Sequence, residues 1–199
     1  AKQFKEIAIT ANNLYHQIST DSGYVINEYD FEILTDDTLT CKIDKNLLTP
    51  KIIVILDNIR SPFNVGSIIR VSEATAVEKI LITGFTPDIN HQRVKRAAMS
   101  AENNIEIIKF VDINTAIEFV KKDDYKIFIV ELTTKSKNYK TINYNEFDKI
   151  AIVFGNEEFG VDETIFSCCD YCIHLNMFGK KNSINVACAA TAVLFQIRN

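Results

Sequence analysis

Three polar segments carry the residue types best suited to chemistry, and each follows an apolar run. They are DNIRSPFNVGSIIR (57–70), GNEEFG (155–160) and NMFGKKNSIN (176–185). In the first, Gly66 is expected to let the backbone approach a ligand, because glycine has no side chain and the N–H groups at a helix start favour anions. None of the three contains the Gly-Lys-Ser/Thr of a P-loop or a Gly-x-Gly-x-x-Gly pattern, which argues against the common nucleotide and dinucleotide sites.

Each segment also has an ordinary structural interpretation. Asn64 is expected to lead into a helix on which Arg70 is solvated. The GNEEFG segment fits a tight turn in which Asn156 or Glu157 supplies side-chain hydrogen bonds. Ser183 is a candidate N-cap of the last helix. Taken singly, the three segments leave the chemical and the structural interpretation open.

Short β-branched apolar runs recur along the chain and predict the strands that position these segments. Helix-compatible stretches separate most of the runs, and this alternation predicts an α/β domain whose mostly parallel sheet is covered by helices on both faces. Ligands of such sheets bind at the carboxyl ends of the strands, where the three segments lie. The predicted strands are 52–56, 79–83, 105–110, 126–130, 149–154 and 171–175, and the predicted helices are 67–76, 94–102, 113–122, 161–169 and 183–198.

The first 49 residues differ in character from the rest and predict a small N-terminal extension, with residues 50–199 forming the main domain. A weak helical pattern is followed by the short β-like pieces YVINEY and FEIL. The extension is a candidate RNA-binding or target-selecting segment. The apolar positions of the helical pattern are Phe4, Ile7, Ala8, Ala11, Leu14 and Ile18.

Length and composition exclude several classes of protein. A chain of 199 residues with 47% hydrophobic residues has room for one ordinary folded domain, not for a large multidomain machine or a disordered chain. The net charge of −4 requires that nucleic acid be bound by a local basic patch. No apolar run approaches the ~20 residues of a membrane span, and the start lacks a secretory signal, so a cytoplasmic protein is expected.

Five cysteines without framework spacing predict reduced thiols and no disulfide. The segment CCDYC (168–172) and the nearby His174 contain residue types that bind zinc. A structural zinc site needs four ligands, and the sequence has no second ligand pair at suitable spacing, so no metal is predicted. Cys172 and Cys188 are expected to be small core residues. The scattered histidines form no triad with a cysteine.

Read together, the three segments resemble the three motifs of the SpoU/TrmH branch of the SPOUT superfamily, which are RNA ribose 2′-O-methyltransferases. The resemblance covers about residues 50–199. Two positions depart from the family pattern: Asn176 stands where the family has proline, and Ile184 where it has leucine. The matching residues are Asn64, Gly66 and Arg70 in the first motif, Gly155, Asn156, Glu157 and Gly160 in the second, and Leu175, Met177, Gly179, Ser183, Asn185 and Val186 in the third.

The resemblance implies a deep C-terminal trefoil knot, dimerisation through the knot region and S-adenosylmethionine as the cofactor. It also implies a set of site residues. The implied cofactor-binding residues are Gly155, Asn156, Glu157, Ile173, Leu175, Met177, Ser183, Ile184 and Asn185. The implied catalytic residues are Asn64, Arg70, Glu157, Ser183 and Asn185.

The substrate that the resemblance implies is tRNA or rRNA, methylated on a ribose hydroxyl. A matching basic surface would draw on Arg60, Arg93, Lys95, Arg96, Lys180 and Lys181. Two other interpretations stay open: a non-catalytic homologue that binds RNA or cofactor during RNA maturation, and a flavodoxin-like nucleotide-binding enzyme whose match to the three motifs is chance.

Overall fold

The structure is a computed structural model in which residues 48–199 are described, together with residues 7, 10, 11, 14 and 18. The chain divides into two compact units, Ala1–Thr40 and Cys41–Asn199. In the first unit the five described residues are helical and exposed, in keeping with the weak helical pattern of the sequence. Phe4, Ala8 and the pieces YVINEY and FEIL lie outside the described residues, and the boundary at residue 49 stays a prediction.

Within the described residues, seven strands form one parallel sheet in the order β3-β2-β1-β6-β4-β7-β5. The three central strands β1, β6 and β4 are almost wholly buried, as their β-branched composition predicts. The carboxyl ends of these strands meet at one edge of the sheet. The strands are β1 (Lys51–Asp57), β2 (Lys79–Thr83), β3 (Glu106–Phe110), β4 (Lys126–Val130), β5 (Lys137–Asn138), β6 (Lys149–Phe154) and β7 (Tyr171–His174).

Four α-helices lie in the same part of the chain and cover both faces of the sheet. Alternate residues of β1 show why: Val54 points into the core under α1, α2 and α4, and Ile55 into the core under α3. The predicted architecture is therefore confirmed. The helices are α1 (Pro62–Ala74), α2 (Gln92–Ala98), α3 (Ile113–Lys122) and α4 (Val186–Arg198).

The far end of α4 is tied to the beginning of the sheet by one side chain. The guanidinium of Arg198 donates to the carbonyl oxygens of Thr75 (2.8 Å), Ala76 (2.9 Å) and Pro50 (2.8 Å). Thr75 and Ala76 follow the end of α1, and Pro50 precedes β1. The bonds to Thr75 and Ala76 satisfy carbonyls that the end of α1 leaves free.

One local prediction is corrected by the structure, and one strand was not predicted. The stretch 161–169 forms a 3-10 helix at Glu163–Ser167, which Asp162 caps, and not an α-helix over its whole length; β7 starts four residues after this helix ends. The two-residue strand β5 has no sequence signal of its own and forms by pairing with β7. The implied trefoil knot stays a prediction. No helix among the described residues is long and apolar enough to cross a membrane.

Candidate active site

The carboxylate of Glu157 joins the loop after β6 to the start of α1. Its Oε2 accepts from the backbone N–H of Arg60 at 2.9 Å, and its Oε1 accepts from the N–H of Ser61 at 3.2 Å and from Nδ2 of Asn64 at 2.6 Å. The N–H groups at the start of α1 favour an anion, and they already bind one, which is the carboxylate of Glu157 in the same chain.

These contacts keep Glu157 ionised. Partial burial raises the pKa of its carboxyl, but the hydrogen bonds from Arg60, Asn64 and Ser61 outweigh burial, so the pKa lies below its ordinary value. The neighbouring Glu158 instead forms an exposed ion pair with the Arg60 guanidinium at 3.1 Å. Adjacent glutamates therefore differ: Glu158 contacts only the exposed guanidinium of Arg60, whereas Glu157 accepts hydrogen bonds from the backbone and the side chain at the start of α1.

Asn185 extends this network to the third segment. Its Nδ2 donates to Oδ1 of Asn64 at 2.9 Å. Its own Oδ1 accepts from the N–H groups of Ala187 (2.8 Å) and Cys188 (3.3 Å), so Asn185 is the N-cap of α4. The expectation that Ser183 caps this helix was wrong. Asn64, Glu157 and Asn185, one from each segment, thus form one hydrogen-bonded chain.

The loop after β6 is folded by its own asparagine. Asn156 and Gly160 exchange backbone hydrogen bonds of 2.9 Å, and Oδ1 of Asn156 accepts from the N–H groups of Glu158 and Phe159. Gly155 and Gly160 are required here: a Cβ on Gly155 would lie 2.4 Å from the backbone of Gly160. Gly160 has φ +73°, a conformation that other residues adopt at a cost.

Gly66 and Arg70 share the face of α1 that packs on α2. A Cβ on Gly66 would lie 2.4 Å from the carbonyl oxygen of Val94 and 2.6 Å from Cβ of Ala97. Gly66 therefore serves helix packing, not close approach to a ligand, and both it and Asn64 lie inside α1 rather than before it. Arg70 is exposed and its Nη1 lies 2.8 Å from Sδ of Met99, so its guanidinium is outside the Glu157 network.

Comparison with protein-family models identifies the family of this chain. The model of the SpoU rRNA Methylase family matches residues 51–195. The chain belongs to the SpoU family. One relative is a Staphylococcus saprophyticus protein that bears the name of a TrmH-family tRNA/rRNA methyltransferase. It is 28% identical over 148 residues, which cover 73% of this chain and 57% of that protein.

Solved structures agree with this SpoU assignment. An AdoMet-bound rRNA methyltransferase from Sinorhizobium meliloti has a TM-score of 0.70 and 25% identity, over 77% of this chain and 59% of that one. The SpoU methyltransferase AviRb from Streptomyces viridochromogenes, in complex with AdoMet, has a TM-score of 0.69 and 21% identity, over 74% of this chain and 57% of that one. The chain thus spans less than two thirds of each of these three proteins.

The third SpoU segment is far less tightly held than the second. Ile173 is buried and Leu175 packs on the core, but every residue from 178 to 185 is exposed. Nothing lies within 4 Å of the position that a Cβ on Gly179 would take. Among the described residues, no hydrogen bond joins Ser183 to the Glu157 network, and Met177 is half-buried.

Sequence reasoning missed a polar relay beneath this segment. Oγ of Ser136 donates to the carbonyl oxygen of Thr133 at 2.9 Å and lies 2.8 Å from Nδ1 of His174. Nε2 of His174 lies 3.1 Å from the side-chain amide of Asn176. The side chain of Asn176, where the family has proline, therefore ties the third segment to the loop after β4.

The candidate RNA-binding residues lie in three places. Arg93, Lys95 and Arg96 are exposed on α2, and Lys180 and Lys181 are exposed in the third segment. Arg60, paired with Glu158, lies in the first segment.

The described cysteines are free thiols. Cys172 is half-buried against the core, with its Sγ 3.7 Å from Oγ1 of Thr133, and burial raises its pKa. Cys188 is exposed on α4, so the expectation that it is a core residue was wrong.

Proposed function

We propose that this chain is an S-adenosylmethionine-dependent RNA methyltransferase that methylates a ribose 2′-hydroxyl of tRNA or rRNA. The observation that carries the proposal is the hydrogen-bonded chain Glu157–Asn64–Asn185, which gathers one residue from each motif segment at the carboxyl ends of the central strands. AdoMet-bound SpoU relatives of the same fold support it.

The residues around β6, β4 and β7 fit the cofactor. A Cβ on Gly155 would meet the backbone of Gly160, and one on Gly160 would meet the carboxylate of Glu131, so these two glycines close the turn on the protein itself. Room for a ligand exists instead at Gly179, where a Cβ would meet no atom within 4 Å. S-adenosylmethionine would supply a methyl group on a sulfonium. The residues proposed to hold it are Gly155, Asn156, Glu157, Ile173, Leu175, Met177, Ser183, Ile184 and Asn185.

Asn64 is proposed to orient the substrate ribose. One of its amide N–H bonds is taken by Glu157 and its oxygen accepts from Asn185, so the amide is fixed in one orientation. Its second N–H remains able to donate to a ribose oxygen. A pre-oriented donor of this kind lowers the cost of placing the hydroxyl for attack on the methyl carbon.

Arg70 is proposed to stabilise the developing alkoxide and to grip a neighbouring phosphate. A guanidinium stays protonated in proteins, so it acts by charge and paired hydrogen bonds, and the proton leaves to another acceptor. Its contact with the neutral sulfur of Met99 is a weak one, which a phosphate can replace. Ser183 is proposed to contact the same phosphate.

The assembly of the protein is also a proposal. We propose a homodimer through the third segment, because Phe178 is 96% exposed and Ile184 46% exposed beside α4. Residues 1–49 are proposed to select the target RNA, and residues 50–199 to form the catalytic domain. The exposed cations Arg60, Arg93, Lys95, Arg96, Lys180 and Lys181 are proposed to contact RNA phosphates.

The test is transfer of labelled methyl from S-adenosylmethionine into total tRNA and, separately, into unmodified rRNA, followed by nucleoside analysis. We expect label in a 2′-O-methylnucleoside. Arg70→Lys keeps the charge but loses the planar fork, and we expect at least a tenfold loss of turnover. Label in a base, or no binding of S-adenosylhomocysteine, would contradict the proposal.

One observation favours a second candidate, a non-catalytic RNA-binding homologue. Arg70 bonds to Met99 and not to the Glu157 network. That candidate would be favoured if the protein binds S-adenosylhomocysteine and RNA but transfers no methyl group to either purified or precursor RNA.

A further inference from the structure

The third segment (176–185) is held by side chains at its two ends. In the part of the chain that the structure describes, no hydrogen bond involves residues 177–184. Three of the proposed cofactor-binding residues, Met177, Ser183 and Ile184, lie in this stretch. The course of the stretch between its two ends therefore depends on how firmly the ends are fixed.

A relay of three side chains, Ser136–His174–Asn176, fixes the first end. Oγ of Ser136 lies 2.8 Å from Nδ1 of His174, and Nε2 of His174 lies 3.1 Å from Oδ1 of Asn176. Each ring nitrogen of His174 therefore has one hydrogen-bonding partner. Ile173 and Leu175, which flank His174 in the sequence, pack on the core. The chain thus leaves β7 under restraint from both the core and the relay.

The base of the relay is a turn that the main chain holds firmly. The N–H of Ser136 donates to the carbonyl oxygen of Thr133 at 3.3 Å, and the N–H of Thr133 donates to Oγ of Ser136 at 3.0 Å. Strand β5 begins directly after this turn and pairs with β7, so that Asn138 lies opposite His174. Ser136 and His174 are therefore carried by neighbouring, hydrogen-bonded pieces of backbone.

The relay replaces a restraint that the backbone at Asn176 does not supply. An asparagine leaves φ free, and the N–H of Asn176 donates to no described residue. Without the contact to His174, the segment would start from an unrestrained residue, and a ligand would have to order it on binding. Ordering a segment in advance lowers the entropy that binding costs.

We propose that His174 is a positioning residue for S-adenosylmethionine, which fixes Asn176 with the support of Ser136 and so orders the third segment before the cofactor binds. The inference rests on the proposed function and deepens it. Because His174 acts through Asn176 and not on the reacting atoms, its loss is expected to raise the KM for S-adenosylmethionine and to leave kcat nearly unchanged.

The experiment is calorimetric titration of the full chain with S-adenosylhomocysteine. His174→Phe keeps a ring but loses both nitrogens, and Ser136→Ala removes the base of the relay. Each is expected to weaken binding about three- to tenfold, the effect of one hydrogen bond. Ser167→Ala is the matched control: Oγ of Ser167 donates to the carbonyl oxygen of Thr164 at 3.1 Å, as Ser136 does to Thr133, but has no histidine contact. Its binding should equal that of the wild type.

Two double variants test whether His174 acts through Asn176. Since both residues belong to one relay, His174→Phe combined with Asn176→Ala should bind no more weakly than either single variant. Asn176→Pro restrains φ covalently and should make the relay unnecessary, so that adding His174→Phe to it changes nothing.

Single variants that bind like the wild type, or losses that add in the His174→Phe/Asn176→Ala protein, would overturn the inference. A fall in Tm and kcat that parallels the loss of binding would assign the relay to general stability and would overturn it as well. The proposed function is judged on the wild type alone: a wild type that binds no S-adenosylhomocysteine contradicts it, whereas the inference fails on variants of a protein that does bind.

Discussion

The loops after β6 and after β7 carry the second and third motifs, yet they are held in opposite ways. The loop 155–160 is closed by Asn156, stapled to α1 by Glu157 and too tight for side chains at its two glycines. The third segment (176–185) is anchored at Asn176 and Asn185, while residues 178–184 between them are exposed. The first loop is held along its length by its own hydrogen bonds, and the second is held at its two ends.

Glycine substitutions separate the two loops most sharply. Gly155→Ala and Gly160→Ala place a Cβ within 2.6 Å of existing atoms, and Gly160 also has positive φ. We expect each to lower the free energy of unfolding by about 2–3 kcal/mol. Gly179→Ala meets no atom, so its effect stays within about 0.5 kcal/mol. Urea denaturation measures all three, and a costly Gly179→Ala would remove the contrast.

Removing the hydrogen bonds of the Glu157 carboxylate should have the next largest effect. Glu157→Ala leaves donors on Arg60, Ser61 and Asn64 without their acceptor, and solvent access limits the cost to about 2 kcal/mol. We expect methyl transfer to fall at least a hundredfold, because Asn64 loses its fixed orientation. Glu158→Ala removes an exposed ion pair and serves as the matched control, with a change below about 1 kcal/mol. Equal effects of the two variants would refute a special role for Glu157.

The anchor of the third segment can be divided into its two functions. Asn185→Ala removes the N-cap of α4 and should cost about 1 kcal/mol. Asn185→Asp retains a capping oxygen but loses the donor to Asn64, so stability should hold while methyl transfer falls. Thermal denaturation measures the stability of both variants, and single-turnover kinetics measure their rates of methyl transfer. An Asn185→Asp variant that transfers methyl groups at the wild-type rate would show that the cap alone matters.

The smallest expected effect is a pH dependence. Because the folded pKa of Glu157 lies below its unfolded value, its ionised form stabilises the fold above about pH 4.3, and this contribution is lost as the pH falls through the folded pKa. The Tm difference between wild type and Glu157→Gln should therefore be largest near pH 7 and should disappear as the pH falls below the folded pKa of Glu157.

Much of the fold was predictable because strand and helix signals are local. The buried runs 52–56 and 126–130 are too apolar and β-branched to lie elsewhere than in the interior of a parallel sheet. Strand β5 was not predictable, since two polar residues have no periodicity and are strands only because β7 lies beside them.

The candidate site was predictable as three segments but not as a network. Asn64 lies 93 residues from Glu157 and 121 from Asn185, so their hydrogen bonds depend on strand order, which no local pattern encodes. Gly66 shows the converse error: a glycine beside motif residues looked like ligand contact, while its neighbours turned out to be α2 backbone atoms. His174 and Ser136 had no signal, because a lone histidine on a strand is uninformative.

The guanidinium of Arg198, bound to three carbonyls around β1 and the end of α1, has a consequence for how the domain opens. Helix α4 cannot separate from the sheet without leaving those carbonyls and a half-buried cation unpaired. Its amide protons should therefore exchange with solvent in the same event that exposes the amides of β1, so that the last helix and the first strand of the sheet behave as one cooperative unit.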